Sequence, residues 1–277
     1  MHIYSLEQWM LLFYIYCFFG WCFESAYVSL LEHHWVNRGF LRAPLLPIYG
    51  SGALCILLVC LPVKENSFAV FVLGVVFPTL LEYITGYVME LLFKMRYWDY
   101  TGKKGNINGY ICLQSSIAWG FLSLLLIHFI HPPIGRWVER LPHLALLIVV
   151  IVISCVFVSD VIVSFRAAFN LRHVLEEMER VRMQLEEARV QLELARAEAR
   201  DRLEELGEDI REDNRRRQKA QEERAELLRL EFMRRLEHQN RYFNRAILKA
   251  HPSASSRRFA ESMRQLRAEL EKKNWKK

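Results

Sequence analysis

Residues 142–165, PHLALLIVVIVISCVFVSDVIVSF, decide the fold. Asp160 is the one formally charged side chain in the run. A helix that crosses a bilayer needs about 20 mostly apolar residues, and this stretch exceeds that. Beyond Phe165 the composition reverses. Arg166 and Arg172 open a region dense in both charge signs. The junction therefore predicts a spanning helix that leaves the membrane and continues into water.

Working back toward the N-terminus, residues 1–165 hold nine Lys/Arg and nine Asp/Glu, whereas residues 166–277 hold 28 and 22. The net charge of +6 thus belongs entirely to the second part, the mark of a membrane domain joined to a solvated one. Apolar windows at 8–31, 45–63, 67–93 and 111–131 join 142–165 as candidate spans. The window 45–63 is the shortest and is interrupted by glycines. The N-terminus lacks the basic start and small-residue cleavage site of a secretion signal, so it reads as an uncleaved first span. The expected fold is an all-α polytopic bundle of five spans (1–165), a cytoplasmic coiled coil (166–250) and a short helix (251–277) after a Pro/Ser break.

Loop charges set the expected orientation. Arg38, Arg42, Lys94, Arg96, Lys103, Lys104 and the tail lie on one side, and Lys64, Arg136 and Arg140 on the other. The positive-inside rule then places the N-terminus outside and the tail in the cytoplasm of a multi-pass cell-membrane protein. The six cysteines all fall within the windows, away from loops where oxidation would pair them, so no structural disulfide is expected.

In the tail, Leu171, Val174, Met178, Val181, Leu185, Ala188, Leu192, Ala195 and Ala199 step by three and four, the seam of a left-handed coiled coil. The phase slips at Leu203, Leu206 and Ile210. A patchier helical piece follows at 220–248, and HPSASS (251–256) breaks the helix. So thin a stripe gains little alone in water, and self-association is its simplest partner. A solitary helix laced with ion pairs is the alternative. Acids are interleaved with the arginines and aromatics are few, so no nucleic-acid surface is expected.

Within the membrane part, Glu82, Gly86 and Glu90 form one stripe on the third span. Gly20 and Glu24 share that spacing on the first, and Asp160 lies on the fifth. A charge facing lipid at the bilayer centre costs roughly 2.5–3.5 kcal/mol, so these acids should face the bundle interior. With the orientation above, all four fall in the cytoplasmic half. Together with Asn37, Arg38 and Arg42 they are the candidate lining of one polar cavity that opens inward. Pairing of Arg38 or Arg42 with an acid, or contact of Glu90 and Asp160 with interfacial water, would account for them structurally. The glycines would permit close helix packing. The loop NRGFLRAPLLPIYGSGA (37–53), with Pro44 and Pro47, cannot be continuous helix. It suggests a re-entrant segment whose backbone is satisfied by protein or water.

Several motifs occur in order: Gly20, Trp21 and Glu24; Asn37, Arg38, Gly39, Phe40 and Leu41; Pro44; Pro47, Ile48, Tyr49, Gly50 and Gly52. Glu82, Tyr83, Thr85, Gly86 and Glu90 follow, then Trp98, Asp99 and Tyr100, Asn106 and Gly109, and Ser116, Trp119 and Gly120. Over roughly residues 8–165 the chain resembles the bacterial ABC-transporter type IV, or CmpB-like, membrane family. Ala43 stands where that pattern has glycine. The resemblance implies a permease subunit served by an ATPase on a separate chain, with the two cytoplasmic loops as candidate coupling segments.

This chain has no nucleotide-binding G-x-x-x-x-G-K-[ST], and no H-E-x-x-H, G-x-S-x-G or zinc spacing. No enzyme, metal site or cofactor is therefore expected. The Glu32-His33-His34 cluster reads as interfacial. A membrane-anchored scaffold or regulator acting through the coiled coil is the competing function.

Overall fold

The computed structural model describes residues 4–203 and 254–274, with 216, 219–220, 223–224, 226–227, 230, 248 and 250–251. Among the described residues the regular structure is helical, with turns, irregular connections and two isolated antiparallel bridges between the helices. The phase slip at Leu206 and Ile210 and most of the 220–248 piece lie outside the described residues.

Helix α1 runs Leu6–Glu32. Its start is a capping box: the Ser5 hydroxyl accepts from the Gln8 N–H while the Gln8 side chain accepts from the Ser5 N–H, which satisfies two otherwise orphan donors. Helix α2 (Pro47–Cys60) begins with proline at its first position, where no N–H is needed, and ends in a 3-10 turn at Leu61–Val63. Helix α3 (Ser67–Phe93) is capped by Asn66. Helix α4 (Leu113–Leu125) passes through a π turn at Leu126–Ile130 into α5 (His131–Glu139). Helix α6 runs His143–Leu203, and α7 runs Ala260–Asn274.

Among the described residues four helical segments are long and apolar enough to cross a membrane: Leu6–Leu31, Ser67–Phe93, Leu113–Glu139 and His143–Ala197. The expected fourth window, 111–131, is thus too short by two turns. Pro132 and Pro133 do not end the helix. They lack the N–H groups for the carbonyls one turn back, and the ladder widens into the π turn just ahead of them.

The expected second span also differs. Helix α2 has 14 residues, about 21 Å of rise, against a hydrocarbon core of about 30 Å. The loop before it runs alongside α1 rather than over its end. The Leu46 N–H donates to the Cys17 carbonyl at 3.0 Å, so α2 begins beside the middle of α1. Glycines allow the approach: Gly20 lies against the Tyr49 side chain, and Gly50 against Cys17 and Phe13.

The chain divides into two compact units: Met1–Phe169 with Ala246–Arg257, and Asn170–Arg245 with Arg258–Lys277. Residues 246–257 therefore group with the membrane-crossing helices, not with the tail around them. In the second unit, Leu171, Val174, Leu175, Met178 and Val181 are buried, as are Phe259, Met263 and Leu266. The Ser262 hydroxyl donates to Glu179 at 2.7 Å. The first turns of the expected seam are therefore buried within one copy of the chain, with α7 bonded to them. Leu185, Ala188, Leu192 and Ala195 remain half-exposed.

Candidate functional site

Two connections turn inward in the first unit and enclose a space between them. The 33–46 loop is held by side chains of α1 and α6. Val36 N–H donates to Ser29 Oγ at 2.9 Å and Arg38 N–H to Ser25 Oγ at 3.1 Å. Asp160 receives the N–H groups of Arg42 and Ala43 at 3.0 and 2.8 Å. Each bond satisfies backbone that no helix ladder serves, as non-helical chain among spanning helices requires. Asp160→Ala should therefore leave two amides without an acceptor and cost about 1–3 kcal/mol, read as a lower unfolding temperature in detergent. Asp160→Asn, which keeps an oxygen, should lose less.

Residues 94–112 fold back along α3. Trp98 and Tyr110 pack over Gly86, where a methyl group would come within 3.0 Å of the Tyr110 ring. The Asn108 amide donates to Tyr83 at 2.9 Å, and Trp98 Nε1 donates to the Tyr110 carbonyl at 2.8 Å. This brings Tyr100 down to the level of Glu82.

Between these two connections lies a chamber of about 520 Å³, within the usual range for small-molecule sites. Its walls are mostly apolar and aromatic: Phe40, Tyr97, Trp98, Phe157 and Phe165 contribute, with Tyr49 and Trp119. The rings of Tyr49 and Trp119 lie 5.6 Å apart. Two carboxylates face the space, Glu24 from α1 and Glu82 from α3.

The two acids are solvated differently. Glu24 forms an ion pair with Arg38 at 3.3 Å and accepts from the Tyr49 hydroxyl at 2.7 Å. Glu82 is buried. It accepts from Trp119 Nε1 at 3.1 Å and from Tyr100 at 3.3 Å. Burial, with Glu82 and Glu24 nearby, pushes the Tyr100 hydroxyl well above its ordinary range, so it stays a donor. Among the described residues no cation partners Glu82.

A family model described as Putative ABC-transporter type IV matches residues 11–165, more than half of the 277-residue chain. The chain belongs to that family. No curated protein and no solved structure matches it. The matched stretch contains both connections and both chamber acids.

The remaining motif residues divide between the chamber wall and the two connections. Arg38, Pro47 and Tyr49 line it. Asn37 accepts from Trp21 Nε1 at 2.6 Å and so ties the first loop to α1. Gly39 packs near Leu46 and Trp21. Pro44 faces a separate apolar groove with Tyr14, Phe18 and Trp137. Ala43 is not among the non-glycine residues with positive φ, which are His33, Lys94 and Asn108. The loop therefore turns there without a glycine-only conformation. Asn106 closes the second loop by donating to the Thr101 and Lys103 carbonyls at 3.0 and 2.9 Å.

Glu90 and Asp160 are not in the chamber. Asp160 borders a shallow recess with Arg42 and Ser159. Glu90 pairs with Arg96 at 2.6 Å. Arg96, whose side chain is 1% exposed, also reaches Asp99 at 3.4 Å and stacks over Tyr110 at 4.9 Å. Burial raises the Asp99 pKa, but bonds from Ser255 and Thr101 and the Arg96 charge outweigh it and hold the carboxyl below its usual range.

In the sequence Arg96 is only a loop charge and Trp119 only a motif residue. Their roles depend on contacts from α3 to the loop and to α4 that no local spacing encodes. The Glu24–Arg38 pair is one of the pairings the sequence left open.

Proposed function

We propose that this chain is the permease-like, membrane-crossing subunit of a transporter and works with an ATPase on a separate chain. The chain crosses the membrane five times, with the second crossing completed by the inward-turning 33–46 loop, and the tail lies in the cytoplasm. The chamber is its solute site. It accepts a cationic or basic solute with an apolar body and is not an enzyme active site.

One observation carries this reading. Glu82 stands in an aromatic chamber, where Trp119 and Tyr100 reach it as neutral donors. Arg38, the other charged wall residue besides the acids, is engaged by Glu24. A buried carboxylate beside aromatic faces attracts organic cations, through the charge and through the ring quadrupoles.

Binding of tetraphenylphosphonium to the purified protein tests this without any ATPase, with tetraphenylborate as the anion of like shape. The cation should bind and the anion should not. Glu82→Gln, which keeps the side-chain shape, should weaken cation binding about tenfold or more. Equal cation binding by a well-folded Glu82→Gln protein, or a preference for the anion, would remove the role.

The scaffold reading draws support from α6, which continues unbroken from His143 to Leu203. It would gain if tail partners were lost on truncation while cation binding showed no dependence on Glu82.

A further inference from the structure

Ala250, His251 and residues 254–257 belong to the first unit, where they bond to Arg38 of the chamber wall and to the 94–112 connection. Arg96 and Ser255 exchange backbone hydrogen bonds, Arg96 N–H to Ser255 O at 2.8 Å and Ser255 N–H to Arg96 O at 3.0 Å, as one antiparallel bridge. The Ser255 hydroxyl donates to Asp99 Oδ2 at 2.6 Å, and that of Ser256 to the Lys94 carbonyl at 2.8 Å. Arg257 Nη2 donates to the Asn108 carbonyl at 3.3 Å. At the other end of the segment, Arg38 Nη1 donates to the Ala250 carbonyl at 3.1 Å. His251 is buried, stands edge-on to Tyr97 with centroids 4.9 Å apart, and is itself a wall residue of the chamber.

We propose that Ala250, His251 and residues 254–257 form a built-in stopper for the chamber, released when the tail is engaged. Arg38 joins the two functions: one side chain holds Glu24 inside and the Ala250 carbonyl of the stopper. Asp99 ties the stopper to the 94–112 connection, since it holds both Arg96 and Ser255. The attachment is made of hydrogen bonds to a few non-helical residues. Each such bond contributes little net free energy, because water replaces it on release. Such a contact opens under a modest bias. The chain on both sides of the segment belongs to the second unit, so a partner that binds the tail has a covalent route to it. The inference rests on the chamber being a solute site.

The test reads access, not transport. Thr85 lines the chamber, and Thr85→Cys is nearly isosteric. A charged, membrane-impermeant maleimide is applied to membrane vesicles with the tail side exposed. Labelling at position 85 alone is quantified by mass spectrometry, so the native cysteines stay in place. Ser255→Pro removes the N–H that bonds Arg96 and the hydroxyl that bonds Asp99. It should speed labelling about tenfold or more, because modification follows the open population when closing is fast. Ser255→Ala, which keeps the N–H, should fall between. Equal rates in the parent and both variants, whether fast or slow, overturn the proposal. The solute reading fails separately. If tetraphenylphosphonium binding ignores Glu82 while Ser255→Pro still speeds labelling, the segment is a stopper of a chamber with another use.

Discussion

Replacing Arg96 with methionine should destabilise the first unit by about 3 kcal/mol, the typical loss when one partner of a buried ion pair is removed. The guanidinium is almost wholly enclosed, while Glu90 and Asp99 remain 20% and 23% exposed. Without it, two neighbouring carboxylates lose their common cation, and water can compensate them only in part. Arg96→Lys should recover less than half of the loss. Nε serves Glu90 while Nη1 serves Asp99 and Thr101, and a single ammonium cannot occupy both positions. Thermal unfolding in detergent reads both variants. Full rescue by lysine would show that charge alone matters and the fork does not. A double-mutant cycle with Glu90→Gln should return a coupling of about 1 kcal/mol or more, since the two side chains touch.

How much of this was legible beforehand depends on the range of the interaction. The long apolar helices follow from composition, because every residue in oil must satisfy its backbone locally. Ser67–Phe93 falls where its apolar window ends. Helix α2 was harder to read. The window 45–63 predicts a crossing, but Leu46 is already bonded to Cys17 in the middle of α1. Proline and glycine in 37–53 signalled irregular backbone without showing where it would run. The sequence assigns all four acids to one cavity, with interfacial water as the alternative for Glu90 and Asp160, because depth along a helix is readable and azimuth around a bundle is not. Two of them, Glu24 and Glu82, converge, while Glu90 turns to Arg96 and Asp160 to the loop amides. For 250–257 the only local trace is a helix break at a Pro/Ser cluster. Serines that pair with a loop about 150 residues away carry no periodicity to reveal it. The coil seam shows the converse case. Its spacing is plain, but spacing alone does not say whether the cover comes from a second copy or from α7.

The seam between α1 and α2 supplies the second large effect, and a neighbouring glycine on the same helix is its control. Gly50→Ala would set a methyl group against Cys17 Sγ and 2.8 Å from the Phe13 carbonyl oxygen. That oxygen is backbone of α1, so relief requires the two helices to part. Overpacking of this kind costs about 1–3 kcal/mol, and here the upper end is expected because no flexible side chain can give way. Gly52→Ala, half a turn on, meets only the Trp119 ring at 3.4 Å. It should be neutral or gain up to about 1 kcal/mol from helix propensity. Unfolding temperatures of the two variants should therefore move apart, with Gly50→Ala well below the parent. Gly20→Ala presses from the α1 side on Tyr49 itself, whose hydroxyl holds Glu24. It should lower stability and also disturb the chamber, which tetraphenylphosphonium binding would register. If Gly50→Ala and Gly52→Ala unfold at the same temperature, the close contact of α1 with α2 does not set the depth at which α2 begins. The position of Tyr49 beside Glu24 would then need another cause.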